Sequence, residues 1–120
     1  MKIFFISVLV LNLLLEGLAA AGLIAGPTGI SNIQPETGMW AMNYGFGAIA
    51  IASAIVWVWP HRDNLQATGS VLGMLLTFHV ALCISLSLAG TPVGGIVAHA
   101  VMAVLCLIAY TQRAKWCIVE

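Results

Sequence analysis

Within the apolar runs of this chain, three residues have the type and placement for chemistry: Glu16, His79 and His99. A carboxylate inside a membrane span costs about 2.5 kcal/mol or more on insertion scales, so it turns toward protein or water and marks a site by default. The competing role for Glu16 is structural, a protonated carboxyl hydrogen-bonded to a neighbouring helix. Asn12 lies one helical turn earlier on the same face and extends the polar patch. Tyr44 is a further polar candidate for a pocket at mid-membrane depth. Two imidazoles on antiparallel helices can ligate haem iron, a chlorophyll-type magnesium or a transition metal. They can also handle a proton, or each can form an interhelical hydrogen bond. No local motif selects among these roles. The chain has no C-x-x-C-H, no H-E-x-x-H and no E-x-x-H. No catalytic residue and no metal site is therefore assigned. Cofactor binding, by haem or a chlorophyll-type pigment, would fall to His79 and His99.

The elements that must position these residues follow from charge and hydropathy. Of 120 residues, 62% are hydrophobic and only 7% are charged, four basic and four acidic. Ordinary soluble domains carry about 25% charged residues, and a chain this size exposes more surface than so few charges keep wet. That excludes a soluble globular domain. A disordered tail needs more polarity, and a nucleic-acid binder needs a basic stripe. An integral membrane protein remains. After Lys2 the charges fall at Glu16, Glu36 and Arg62, and the 49 residues from Asn64 to Gln112 carry none. A span takes about 20 apolar residues, and backbone polar groups in lipid must bond within their own segment, which favours helices. The expected fold is all-α, an antiparallel four-helix membrane bundle in one domain covering residues 1–120. Its spans are about 3–25, 39–59, 65–89 and 94–111. The start imitates a secretory signal with a small-residue site at Ala19 to Ala21. Glu16 interrupts that pattern and the apolar run continues to Ala25, so the segment reads as a retained span.

Lys2, Arg62, Arg113 and Lys115 all flank the same ends of these spans, and the other two links carry no Lys or Arg. Positive residues stay cytoplasmic, so both termini are expected in the cytoplasm, with the chain in a bacterial inner membrane. Trp40 then anchors the outer interface, and Trp57, Trp59, Tyr110 and Trp116 form an inner belt. The segments Ala25–Ile30 and Ala89–Ile96 share Gly and Pro at equivalent helix ends, which raises the question of a duplicated hairpin. Such helix-ending residues also recur independently. Counted from the charged ends, Glu16, His79 and His99 are all about 13 to 14 residues deep, near 20 Å at helical rise. Counted from Gly90, His99 lies roughly 8 Å nearer the outer face than His79. The two counts disagree about the register. If the histidines form a functional site, they should meet across spans three and four, with Glu16 lining the same cavity. His79 shares a helix face with Cys83 and Leu86, and His99 with Ala103, Cys106 and Tyr110. Cys83, Cys106 and Cys117 are an odd set with none on the oxidising side, so no disulfide is expected. Gly22 and Gly26, Gly69 and Gly73, and the Gly45 to Ala54 stretch have the small-residue spacing of close helix packing.

The arrangement resembles the DoxX-like group of small four-span bacterial membrane proteins, whose role is mostly unknown. Leu15-Glu16-Gly17-Leu18, Gly26-Pro27, Asn43-Tyr44-Gly45-Phe46-Gly47, Leu76-Thr77-Phe78-His79 and the His99 segment carry the resemblance. It implies a four-helix bundle and little chemistry. Haem-containing epoxide isomerases have a similar span count, but their polar signature is not evident here and no residue carries over. Tiny loops and abundant close-packing faces point first to a non-catalytic accessory subunit of a larger respiratory or photosynthetic membrane complex. The alternative is a small membrane enzyme or cofactor binder using Glu16, His79 and His99. A transporter is the third reading, since one small bundle offers little path. The expected partners are the lipid bilayer and other membrane subunits or a second copy, with no nucleic acid.

Overall fold

The long apolar runs fold as helices, as their lack of strict alternation requires. A computed structural model of the chain describes residues 1–25, 35–90 and 93–118, with side chains outside 35–37. Among the described residues the α-helices run in the order α1 (Lys2–Ala25), α2 (Pro35–Ala52), α3 (Ala54–Val58), α4 (Leu65–Leu88) and α5 (Val93–Gln112). Short 3-10 turns cover Trp59–His61 and Arg113–Lys115. Among the described residues four stretches are long and apolar enough to cross a membrane: Lys2–Ala25, Gly38–His61, Leu65–Leu88 and Val93–Lys115. The second differs from the uninterrupted helix expected over 39–59. It breaks at Ser53, where the hydroxyl bonds the Ala50 carbonyl and accepts from the Trp57 indole N–H. A side-chain oxygen competing for helix backbone bends or interrupts the helix in this way. The Gly/Pro segments compared above as a repeat include residues 26–30 and 91–92, which lie outside the described residues.

The residues group into two compact units, Met1–Val8 with Val58–Glu120, and Leu9–Trp57. The first is organised by the α4–α5 hairpin. Asn64 caps α4 by accepting from the Ala67 N–H at 2.8 Å. The helix ends at Ala89 and Gly90, whose φ of +65° is the left-handed conformation that glycine adopts freely. The buried face of α4 is Thr68, Leu72, Leu75 and His79, and that of α5 is His99, Met102, Ala103, Cys106 and Ala109. Both follow the three-and-four spacing of one helical face. At the charged end of this unit Lys2 pairs with Asp63 at 2.7 Å. Phe5 stacks on Trp116 with ring centroids 5.6 Å apart. The chain after α5 returns to the start of α4, where Ile118 N–H donates to the Asp63 carbonyl and Leu65 N–H to the Ile118 carbonyl.

In the second unit α1 and α2 approach at Gly45. A Cβ there would lie 2.8 Å from Ile24 Cγ1 and 3.2 Å from the Ala20 carbonyl oxygen. This is the close backbone approach that small residues permit in membrane helices. Asn12 donates to the Ile51 carbonyl at 3.0 Å, just before the Ser53 break. Outward faces carry large apolar side chains, such as Leu18 at 73% exposed, Ile84 at 57% and Leu88 at 85%. Such a surface suits hydrocarbon and not water.

Candidate functional site

The site residues in the first unit are His79 and His99. His79 sits on α4, nine residues before Leu88 ends the helix, and His99 sits on α5, six residues after Val93 begins it. Both lie on the hairpin's inner face, so packing of the two helices turns the imidazoles toward each other. Their Nδ1 atoms are 3.0 Å apart and their ring centroids 5.3 Å apart. His79 is fully buried and His99 is 8% exposed. Phe78 presents its ring edge-on to both, at 5.3 Å from His79 and 6.4 Å from His99.

The antiparallel register is continuous on either side of this pair. Toward the turn, the Cys83 thiol approaches the Ile96 carbonyl at 3.5 Å, and Leu86 lies opposite Gly95. Toward the charged end, Tyr110 lies against Gly73 and Arg113 against Gly69. The faces expected from sequence, His79 with Cys83 and Leu86, and His99 with Ala103, Cys106 and Tyr110, are those that meet. The disagreement between the two depth counts is resolved by a register that brings the imidazoles within hydrogen-bond distance.

The approach of the rings constrains their chemistry. Two neutral imidazoles with facing Nδ1 atoms must use different tautomers, one donating N–H and one accepting. Axial ligation of one haem iron from opposite faces requires donor nitrogens about 4 Å apart, twice a metal–nitrogen bond of about 2 Å. The observed 3.0 Å does not fit that arrangement. The distance matches a ring N–H···N hydrogen bond and, as a separation alone, also two adjacent ligands of one ion. With metal–nitrogen bonds of about 2.0–2.1 Å, nitrogens 3.0 Å apart subtend about 90° at the metal.

The other candidates belong to the second unit. Glu16 is fully buried, so its carboxyl faces protein and not lipid. Asn12, also fully buried, spends its amide on the Ile51 carbonyl. Tyr44 on α2 is 37% exposed. Two residues that the sequence did not mark as site candidates matter here. Phe78 makes T-shaped ring contacts with both imidazoles, and Arg113 lies against α4 with its guanidinium 3.9 Å above the Tyr110 ring. The signal for Arg113 was the Gly69–Gly73 spacing. Gly69 makes room for the Arg113 side chain, whereas a Cβ at Gly73 would meet Tyr110 at an ordinary contact distance of 3.9 Å. Cys83, Cys106 and Cys117 are free thiols. Compared with known proteins, the chain matches no family model, no curated protein and no solved structure.

Proposed function

We propose that this chain is a small polytopic protein of a bacterial inner membrane that binds one transition-metal ion between His79 and His99. The observation that carries this reading is the 3.0 Å separation of two buried Nδ1 atoms on facing helices. Imidazole suits zinc, copper, iron and nickel, and adjacent ligands at about 90° suit tetragonal or octahedral ions. Loading requires no net proton release. With both rings in the Nε2–H tautomer, the two Nδ1 lone pairs would be the atoms that hold the ion.

The test is copper(II) titration of the purified, chelator-treated chain followed by electron paramagnetic resonance. A Cys117→Ser background removes the thiol nearest the C-terminus as a competing ligand. One ion per chain with nitrogen superhyperfine splitting is expected. Absence of a nitrogen-coordinated signal would overturn the reading.

In the membrane the charged end, with Lys2, Arg62, Arg113 and Lys115, faces the cytoplasm. A green fluorescent protein fused after Glu120 should fluoresce, and alkaline phosphatase fused there should be inactive. The reverse pair of results would refute cytoplasmic termini.

A second reading is an accessory subunit of a respiratory or photosynthetic complex. It is favoured by Gly17, Gly22, Gly47 and Gly94, where a Cβ would meet nothing within 4 Å. Such flat positions admit a neighbouring helix. Mild solubilisation should then yield the chain at fixed stoichiometry with other subunits on a native gel, and migration alone would discard this reading.

A further inference from the structure

The hairpin of the first unit carries a groove that neither the imidazole pair nor the topology uses. It has a volume of about 680 Å³ and lies between the first half of α4 and the end of α5. Its walls run from Leu65 to Thr77, which is about 18 Å of helix at 1.5 Å per residue. The groove therefore starts at the charged end and follows the span inward. Gln66, Ser70 and Arg113 line its outer part, and Gly73, Leu76 and Tyr110 line its inner part.

Arg113 is held in place at this entrance. One terminal nitrogen donates to the Tyr110 carbonyl at 2.6 Å, and the guanidinium lies 3.9 Å above the Tyr110 ring. Its Nε is buried against Gly69, where a Cβ would sit only 3.0 Å away. Among the described residues Arg113 has no acidic partner, and no Asp or Glu lines the groove. Lys2 and Asp63 pair with each other. A fixed guanidinium without a counter-charge among the described residues, at the head of a groove running along a membrane span, is complementary to a ligand with an anionic head and an apolar tail.

We propose that this groove binds an anionic phospholipid, with the lipid phosphate on Arg113 and one acyl chain lying along Gly73, Leu76 and Thr77. Arg recognises phosphate through paired N–H donors, and basic pockets between membrane helices select anionic headgroups. Gln66 and Ser70 add hydrogen-bonding capacity beside the phosphate. The inference rests on the membrane reading and is independent of metal binding.

The test uses the full chain in vesicles of equimolar phosphatidylcholine and phosphatidylglycerol containing trace photoactivatable phosphatidylglycerol. Flotation of the vesicles first establishes insertion. A chain that stays out of the vesicles overturns the membrane reading and this proposal with it. In inserted chain, mass spectrometry should place the label on the α4 wall between residues 65 and 77. Raising the share of unlabelled phosphatidylglycerol should compete, while raising phosphatidylcholine or adding inorganic phosphate should not. Arg113→Gln should reduce labelling about fivefold, the scale of one lost cationic contact at an anionic surface. Arg62→Gln removes a cation that lies over Trp59, outside the groove, and should leave labelling unchanged. Arg113→Lys keeps the charge and should fall between wild type and Arg113→Gln, which separates lost recognition from lost folding. Labelling spread evenly along α4 and α5, or equal in wild type and Arg113→Gln, would overturn the proposal. Displacement by inorganic phosphate would assign the site to a free anion instead of a lipid.

Discussion

Changing both His79 and His99 to Gln is expected to lower copper(II) affinity by at least about a hundredfold while leaving the metal-free chain folded. Losing even an outer-shell partner of a metal ligand typically costs about 10–100-fold, and here both ligands go. Gln is a poor metal ligand, but it keeps one donor and one acceptor for the partner across the hairpin. Interhelical polar bonds in membranes average about 0.6 kcal/mol, so the metal-free variant should lose no more than about 1 kcal/mol. Single variants divide the roles further. His79→Gln should weaken binding and remove one set of nitrogen splittings from the spectrum, because one imidazole remains. His79→Leu should cost more stability than His79→Gln, since His99 then loses the Nδ1 partner now 3.0 Å away. Isothermal titration with copper(II), run beside denaturant unfolding in mixed micelles, reads both quantities. A double Gln variant that binds copper as tightly as wild type would end the metal reading. One that unfolds outright would show the imidazoles to be structural.

How much of this was legible beforehand depends on what each feature requires. Helix positions follow from the scarcity of charge, because a residue such as Arg62 cannot lie deep in hydrocarbon without a large cost. The burial of Glu16 and Asn12 follows from the same cost. The helix faces around His79 and His99 were also legible, since they need only the helical period. The meeting of the two imidazoles was not. Antiparallel register is fixed by how α4 terminates at Gly90 and by how many residues the turn consumes, and neither is encoded in the spacing of the histidines. The break at Ser53 was hidden for a related reason. A serine in an apolar helix is compatible with an unbroken span until its hydroxyl captures a backbone carbonyl, here that of Ala50. The Gly69–Gly73 pair carried a correct signal with an ambiguous meaning. Small residues announce a close neighbour; at Gly69 that neighbour is the Arg113 guanidinium, whereas Gly73 has only ordinary contact distance to Tyr110.

Gly45 and Gly47 provide a sharper distinction, because the same substitution at positions two residues apart is expected to act with opposite sign. Both glycines lie within α2, and sequence alone gives them equal standing as packing residues. Gly45 faces α1, where an added Cβ would stand 2.8 Å from Ile24 Cγ1 and 3.2 Å from Leu23 Cβ. The Ile24 Cγ1 can rotate aside, but the Leu23 Cβ and the Ala20 carbonyl oxygen, both 3.2 Å away, move only with the helix backbone. Gly45→Ala therefore forces α1 and α2 apart, and overpacking of this kind typically costs about 1–3 kcal/mol. Gly45→Val should cost more, since its two methyl groups have fewer rotamers with which to avoid the same carbonyl. At Gly47 a Cβ meets nothing within 4 Å. Gly47→Ala should therefore be neutral or stabilising by up to about 1 kcal/mol, because alanine restricts the unfolded chain more than glycine does. Unfolding in bicelles titrated with sodium dodecyl sulfate measures both changes on one scale. Equal effects at the two positions would mean that α1 does not approach α2 at Gly45. A destabilisation confined to Gly45 would locate the contact, and its growth from Ala to Val would identify the α1 backbone at Ala20 and Leu23 as the surface that yields least.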